Sequence, residues 1–332
     1  MLAGSVLALG VSLALSPLVL LVLRRSQVLD HPTERSSHRA PTPRGGGVAP
    51  AAGALVALAV TPAVQSGHRW AIGLAAVAFG ALGLVEDVVG IGALRRLALQ
   101  FAAGVLAGAL LLDDLTGPAV WKVVFAAGTV FWLVAFVNAY NFMDGIDGIS
   151  VAQAVGAGVT WFAVGSYGDS PVVAAGGAIV AGAALGFAPF NVLRAKMFLG
   201  DAGSYFLGIW LAAVAVLGLR AGLPPEAVLA PLALYLADTG LTLVRRVLHG
   251  ERWYLPHRDH VYQRLTDVGW SHVRASAFVA ACIATSGALG AVSLSDSTTA
   301  RLAADVAIAG VIAAYVMTPR WLASRGSTMV AA

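Results

Sequence analysis

The sequence predicts an all-α integral membrane protein of about eleven transmembrane helices, with its active site on the cytoplasmic face. Three observations lead there. Charged residues make up 11% of the chain and hydrophobic ones 58%, against roughly 25% charged in a soluble domain. Apolar runs long enough to cross about 30 Å of hydrocarbon recur along all 332 residues. The basic residues also gather in alternate loops, as expected of a chain threaded with its basic loops inside.

The predicted spans are 2–23, 47–64, 70–85, 97–112, 120–139, 150–166, 171–189, 204–219, 226–244, 274–294 and 301–317. The first lacks a basic leader and is followed by Arg24 and Arg25, so it reads as a retained span rather than a signal peptide. No repeat or low-complexity linker interrupts the chain, and residues 1–332 are expected to form one polytopic domain. The single cysteine, Cys282, lies in an apolar run and excludes an internal disulfide framework. All Lys and Arg except Arg69, Lys122, Arg220 and Arg301 fall in one alternating set of loops or in the tail. That set is expected to be cytoplasmic, with the amino terminus outside and the carboxyl terminus inside. The opposite loops are short, and Asp113 and Asp114 read there as a solvated turn.

Five loops on the basic side, about 24–46, 86–96, 139–149, 190–204 and 245–273, each hold a polar cluster. The first contains His31, His38 and Arg44 and closes on three glycines, which let a backbone approach a phosphate. A solvated loop drawn to anionic lipid is the plainer reading. Glu86 and Asp87 follow an apolar run and precede Arg95 and Arg96; adjacent carboxylates repel, so one should face a cation. In "NAYNFMDGIDGIS", Asn141 and Asp144 are spaced to share a helical face, as are Asp144 and Asp147. Helix capping needs one such residue, not four, and oxygen ligands this dense suit a hard cation such as Mg²⁺. "FNVLRAKMFLGDAGS" supplies Asn191 and Asp201 with Arg194 and Lys196; capping by Asp201 or Ser204 accounts for only part of it. The last loop holds His257, Arg258, His260, Tyr262 and Gln263, without zinc-ligand spacing.

Carboxylates for Mg²⁺, with arginines and a lysine for phosphate oxygens, form the inventory of phosphoryl chemistry. A transporter would instead place ionisable groups near the midplane, and only Asp238 lies well within a span.

The ordered series "HRAPTPRGGG", "GLVEDVVG", "NAYNFMDGIDGIS", "FNVLRAKMFLGDAGS" and "HRDHVYQ" resembles the polyprenyl-phosphate N-acetylhexosamine-1-phosphate transferases, glycosyltransferase family 4. The resemblance covers about 30–265. It implies that a phosphate oxygen of undecaprenyl phosphate attacks the sugar-proximal phosphorus of a UDP-N-acetylhexosamine, with release of UMP. Mg²⁺ is the implied cofactor, with Mn²⁺ as the alternative. It also implies metal binding by Asp201 with Asn191, and catalytic roles for Asp87, Glu86, Asp144, Asp147 and His260. Substrate contacts are implied for Asn138, Asn141, Arg44, Arg194, Lys196, His257 and Arg258. The location that the resemblance implies is a bacterial inner membrane. No nucleic-acid partner is expected, and a homodimer is admitted as an assembly. Two departures from the family pattern matter. Glu86 stands where the family has an aspartate, which shifts the role expected of that pair toward Asp87, and Tyr262 and Gln263 stand where it has histidines. The absent histidines favour a branch resembling the O-antigen-initiating enzymes, using UDP-GlcNAc, UDP-QuiNAc or UDP-FucNAc. The UDP-MurNAc-pentapeptide transferases of peptidoglycan synthesis are the alternative.

Overall fold

In hydrocarbon a backbone must satisfy its own hydrogen bonds, and each long apolar run here does so as a helix. The computed structural model describes residues 1–32, 40–113, 115–252 and 257–330, with side chains followed as far as Ser324. The helices are α1 (Leu2–Arg25), α2 (Val48–Val60), α3 (Ser66–Val89), α4 (Ala93–Leu111), α5 (Ala119–Met143) and α6 (Ile149–Tyr167). They continue with α7 (Pro171–Asn191), α8 (Gly200–Arg220), α9 (Pro225–Leu229), α10 (Ala233–Leu248), α11 (Val261–Asp267), α12 (His272–Ala291) and α13 (Thr298–Val330). His38, Arg39, Asp114 and residues 253–256 lie outside the described residues.

Ten helical segments among the described residues are long and apolar enough to cross a membrane, and α2 is a shorter apolar helix. All eleven predicted spans are therefore helical. The run predicted as 47–64 yields only 13 helical residues, because Pro62 follows and Thr61 turns extended. The run predicted as 226–244 is a broken segment: a 3₁₀ turn at Ala230–Leu232, carrying Pro231, joins α9 to α10. α11 was not foreseen.

α7 and α8 form the centre, with 83% and 94% of their apolar windows buried. Small residues permit this: a Cβ on Gly182 or Gly186 of α7 would overlap the backbone of Ser5 or Leu9 in α1. Outer helices expose Val77, Leu106, Trp121 and Phe131, as a lipid-facing surface would. Two short antiparallel strands, β1 (Leu29–Asp30) and β2 (Thr42–Pro43), bring the α1–α2 loop back over the bundle end. There Arg44 bridges Phe198 as a parallel pair, and Gly46 and Gly47 donate N–H to Phe198 and Leu199 carbonyls, both at 2.8 Å.

Candidate active site

Helix ends are short of partners: the first N–H groups of a helix need acceptors from outside it. At the start of α8 the acceptor is Asp87, from the last turn of α3. Its Oδ1 and Oδ2 accept the N–H groups of Asp201 and Ala202, each at 2.9 Å. Neither Asp201 nor Ser204 caps its own helix, as the sequence had suggested. The approach is close because Gly47 packs on Gly203 with no room for a side chain on either. The glycines of the first loop thus permit backbone packing against α8, and the N–H groups of Gly46 and Gly47 are engaged by the Phe198 and Leu199 carbonyls.

Arg44 completes the cluster. Its Nε lies 2.7 Å from Asp87 Oδ1, and its Nη2 2.8 Å from Asp201 Oδ2. Burial alone would lower its pKa, but Asp201 and Asp87 outweigh that, and it stays cationic. Asn141, from the last turn of α5, donates to Asp201 Oδ1 at 2.7 Å and to Ser204 Oγ at 2.9 Å. Asp144 follows as the C-cap of α5 and accepts from Ser150 Oγ at 2.7 Å. Burial, the largest influence, lifts its carboxyl to about 7; the Ser150 hydrogen bond and Arg44 oppose this, and Asp201 and Asp87 add to it.

The expected helical face linking Asp144 to Asp147 does not form. The helix stops at Met143, and Gly148 takes a left-handed φ of 81° before α6. The Tyr262 hydroxyl fills the space where a side chain on Gly145 would be and donates to the Phe142 carbonyl at 3.0 Å. Asp147 nevertheless reaches the same cavity, about 290 Å³, as Arg44, Asn141, Asp144, Asn191 and Asp201. Asp30, Phe198, Gln263 and His272 also line it.

Other expected residues are placed elsewhere. Glu86 accepts the Ile91 N–H at 2.8 Å and faces Arg96 at 3.6 Å. Asn191 stays in the cavity wall but braces the chain there, accepting Gly148 N–H at 3.0 Å and donating to Met197 O at 3.3 Å. Arg194 and Lys196 are exposed, and Lys196 lies over the Phe190 ring. Arg258 pairs with Asp267 at 2.9 Å. His260 does not line the cavity: it is 2% exposed, begins α11, and places Nδ1 3.0 Å from Asp238. Asp238 also accepts from the Val261 N–H at 3.1 Å and from the Tyr315 hydroxyl at 2.7 Å. Asp238, an ionisable residue within a span, is thus a knot joining α10, α11 and α13. His257 stacks beside His260, with ring centres 4.9 Å apart.

Asn138 turns to α4, donating to Gln100 Oε1 at 2.7 Å. With Arg96, Leu97, Phe101, Phe131, Phe142 and Leu243 it lines a second cavity of about 400 Å³, mostly apolar, between α4, α5 and α10. One turn of α5 thereby serves both spaces, Asn141 and Asp144 in the polar cleft, Asn138 and Phe142 in the apolar groove.

The cleft's donors to a cation would be oxygens. Among the described residues no three carboxylate, thiol or imidazole groups converge as a ready-made metal cage. That suits Mg²⁺, which takes one or two carboxylates and draws its other ligands from water and phosphate. Four carboxylates, Asp30, Asp144, Asp147 and Asp201, share the cavity with Arg44, and a second cation near Asp144 and Asp201 would offset the repulsion between those two.

The profile of "Glycosyl transferase family 4" matches residues 69–219. The chain is 31% identical to the "Decaprenyl-phosphate N-acetylglucosaminephosphotransferase" of Mycobacterium leprae (strain TN), over 77% of this chain and 74% of that one. It is 27% identical to the "Probable undecaprenyl-phosphate N-acetylglucosaminyl 1-phosphate transferase" of Bacillus subtilis (strain 168), over 78% and 75%. Similarity to the "Phospho-N-acetylmuramoyl-pentapeptide-transferase" of Gluconobacter oxydans (strain 621H) is 30% over a smaller share, 63% and 69%.

Proposed function

Because the chain belongs to glycosyl transferase family 4, we propose that it transfers N-acetylhexosamine 1-phosphate, with GlcNAc the favoured sugar, from a UDP-sugar to undecaprenyl phosphate. The products are undecaprenyl-diphosphate-HexNAc and UMP, the first step of a lipid-linked envelope glycan of O-antigen type. One observation carries the reading: the last turn of α5 lines both the charged cleft and the apolar groove. A water-soluble diphosphate and a lipid-borne phosphate need such adjoining sites at the membrane edge. The groove takes the first isoprenoid units, and the cleft takes the UDP-sugar. The excess of Lys and Arg in the loops at this end supports a cytoplasmic location for it.

In the reaction a lipid phosphate oxygen forms a bond to the sugar-proximal phosphorus as the bond to UMP breaks. Arg44 is set to balance charge on the phosphoryl oxygens, and Asn141 holds Asp201 in position. Asp87 acts through its neighbours by fixing both the start of α8 and the Arg44 guanidinium. Bound at Asp144 and Asp201, Mg²⁺ would neutralise charge on the diphosphate and on departing UMP.

Tyr262 and Gln263 in place of histidines support the GlcNAc-type branch over the pentapeptide one. The experiment is UMP release by purified enzyme in detergent, with undecaprenyl phosphate, Mg²⁺ and UDP-GlcNAc, UDP-QuiNAc, UDP-FucNAc or UDP-MurNAc-pentapeptide. Release that requires both substrates and is fastest with UDP-GlcNAc is expected. Turnover with the pentapeptide donor alone would move the chain to the other branch. No turnover with any donor, together with solute flux in proteoliposomes, would replace the transferase by a transporter.

A further inference from the structure

His272 belongs to no motif, yet the fold brings it into the cleft 125 residues from its partner. It opens α12 directly after Ser271, whose hydroxyl caps the helix by accepting the Arg274 N–H at 3.3 Å. Its Nδ1 accepts the Asp147 backbone N–H at 3.5 Å and lies 3.3 Å from Asp147 Oδ1, with which it pairs as an ion when the ring is protonated. One turn further along α12, the Ser276 hydroxyl donates to the Asp147 carbonyl at 2.7 Å. The other carboxylate oxygen of Asp147 accepts the Ala195 N–H at 3.2 Å. The first turns of α12 thus hold Asp147 by side chain and main chain, in a loop whose preceding helix has already ended.

The cleft is chemically divided. Arg44, Asp144 and Asp201 form a charged end suited to a diphosphate. Asp147, Asn191, Gln263 and His272 offer two amides, an imidazole and a carboxylate already engaged by protein donors. Such groups suit hydroxyls and amide N–H groups, the uncharged part of a nucleotide-sugar. A carboxylate can discriminate among those only if its direction is fixed, because a swinging acceptor accommodates any donor.

We infer that His272 is a positioning residue for the donor: its imidazole fixes the Asp147 carboxylate against the uncharged portion of the nucleotide-sugar. The inference rests on the reading that the cleft takes a UDP-sugar.

The test uses the full-length enzyme with His272→Ala, His272→Asn, Asp147→Asn and the His272→Ala/Asp147→Asn double variant. Loss of the hydrogen bond from the Asp147 N–H and of the contact with its carboxylate predicts a rise of about tenfold in donor KM for His272→Ala. The kcat and the KM for undecaprenyl phosphate should stay within about twofold. His272→Asn, which keeps a side-chain N–H donor, should recover most of the loss. The double variant should be no worse than Asp147→Asn, since the two residues act as one unit. A merely structural histidine would lower the melting temperature and raise both KM values together, and that pattern overturns the inference. So does an unchanged donor KM, or additive losses in the double variant. If the wild type shows no turnover, the transferase reading fails; equilibrium titration of UMP and UDP-GlcNAc then still decides His272. Binding about tenfold weaker in His272→Ala for either ligand supports it, and equal affinity overturns it. Absence of binding of both ligands to the wild type sinks both ideas.

Discussion

At one end of the cleft, Asp87 receives two N–H groups from α8, Arg44 joins it to Asp201, and Asn141 braces Asp201 from α5. At the other, Asp147 is held by one main-chain N–H, one imidazole and one hydroxyl on its carbonyl. The first arrangement is a closed network of charges, each fixed by at least one other. The second is a set of single polar contacts reaching mostly to main chain. Charge that must meet developing charge works best when it needs no rearrangement. Recognition of an uncharged group needs direction more than field. The two ends also come from different parts of the chain. Apart from Arg44, the charged network lies within residues 69–219, whereas Gln263 and His272 lie beyond the stretch matched by the family profile.

The largest effect should come at the charged end. Asp201→Asn keeps the shape and an oxygen for Asn141 but removes the charge that faces Arg44 and a bound cation. Loss of a comparable electrostatic stabiliser costs about 10²–10³ in rate, and at least that is expected in kcat. The melting temperature should change little. Asp113→Asn, exposed in the loop after α4, is the control and should be near neutral. A folded Asp201→Asn enzyme with near-normal turnover and unchanged Mg²⁺ dependence would remove Asp201 from the site.

Asp87→Asn should divide its effect differently. The side chain is 1% exposed and both oxygens accept backbone N–H groups, so the amide must leave one donor unmatched. That costs about 1–3 kcal/mol of stability. The melting temperature should fall, and kcat should drop by less than in Asp201→Asn, because Asp87 acts through Arg44 and α8. A loss in kcat as large as that of Asp201→Asn, with no fall in melting temperature, would show instead that Asp87 meets the substrate itself.

The spans were legible because hydropathy reports burial in lipid directly, and Asn141, Asp144 and Asp201 stood out as oxygen ligands between apolar runs. What they touch was not. Asp87 caps a helix that begins 113 residues later, and no local spacing encodes such a pairing. The helical spacing of Asp144 and Asp147 misled because the helix stops at Met143, before either of them, although both residues reach the same cavity. α11 has seven residues and no apolar run, so its existence depends on Asp238 and on the capping box between His260 and Gln263. His272 gave no signal: a single histidine before an apolar helix looks like an interfacial residue. Arg194 and Lys196 show the converse, basic residues in a motif that the structure leaves exposed beside the site.

The smallest prediction concerns His257, which lies outside the cleft beside His260. His257 stacks on His260 and Phe142, and its side chain is 8% exposed. Burial, then the neighbouring His260 and Arg246, depress its pKa from 6.5 to about 4, against Asp259 and Asp238. The folded protein therefore leaves this imidazole uncharged at pH 5, while the unfolded chain binds a proton below about 6.5. More protons on the unfolded state mean that stability is lost as pH falls from 6.5 toward 4, and that the group has no effect above that window. The loss amounts to about 1–2 kcal/mol at pH 5. His257→Gln removes the titration and keeps a polar side chain of similar reach. Wild type and variant should therefore differ in melting temperature by a constant amount from pH 7 to 8, and the gap should shift against the wild type from pH 7 to 5. Parallel curves over the whole range would mean that His257 binds its proton as readily in the folded protein as in the unfolded chain.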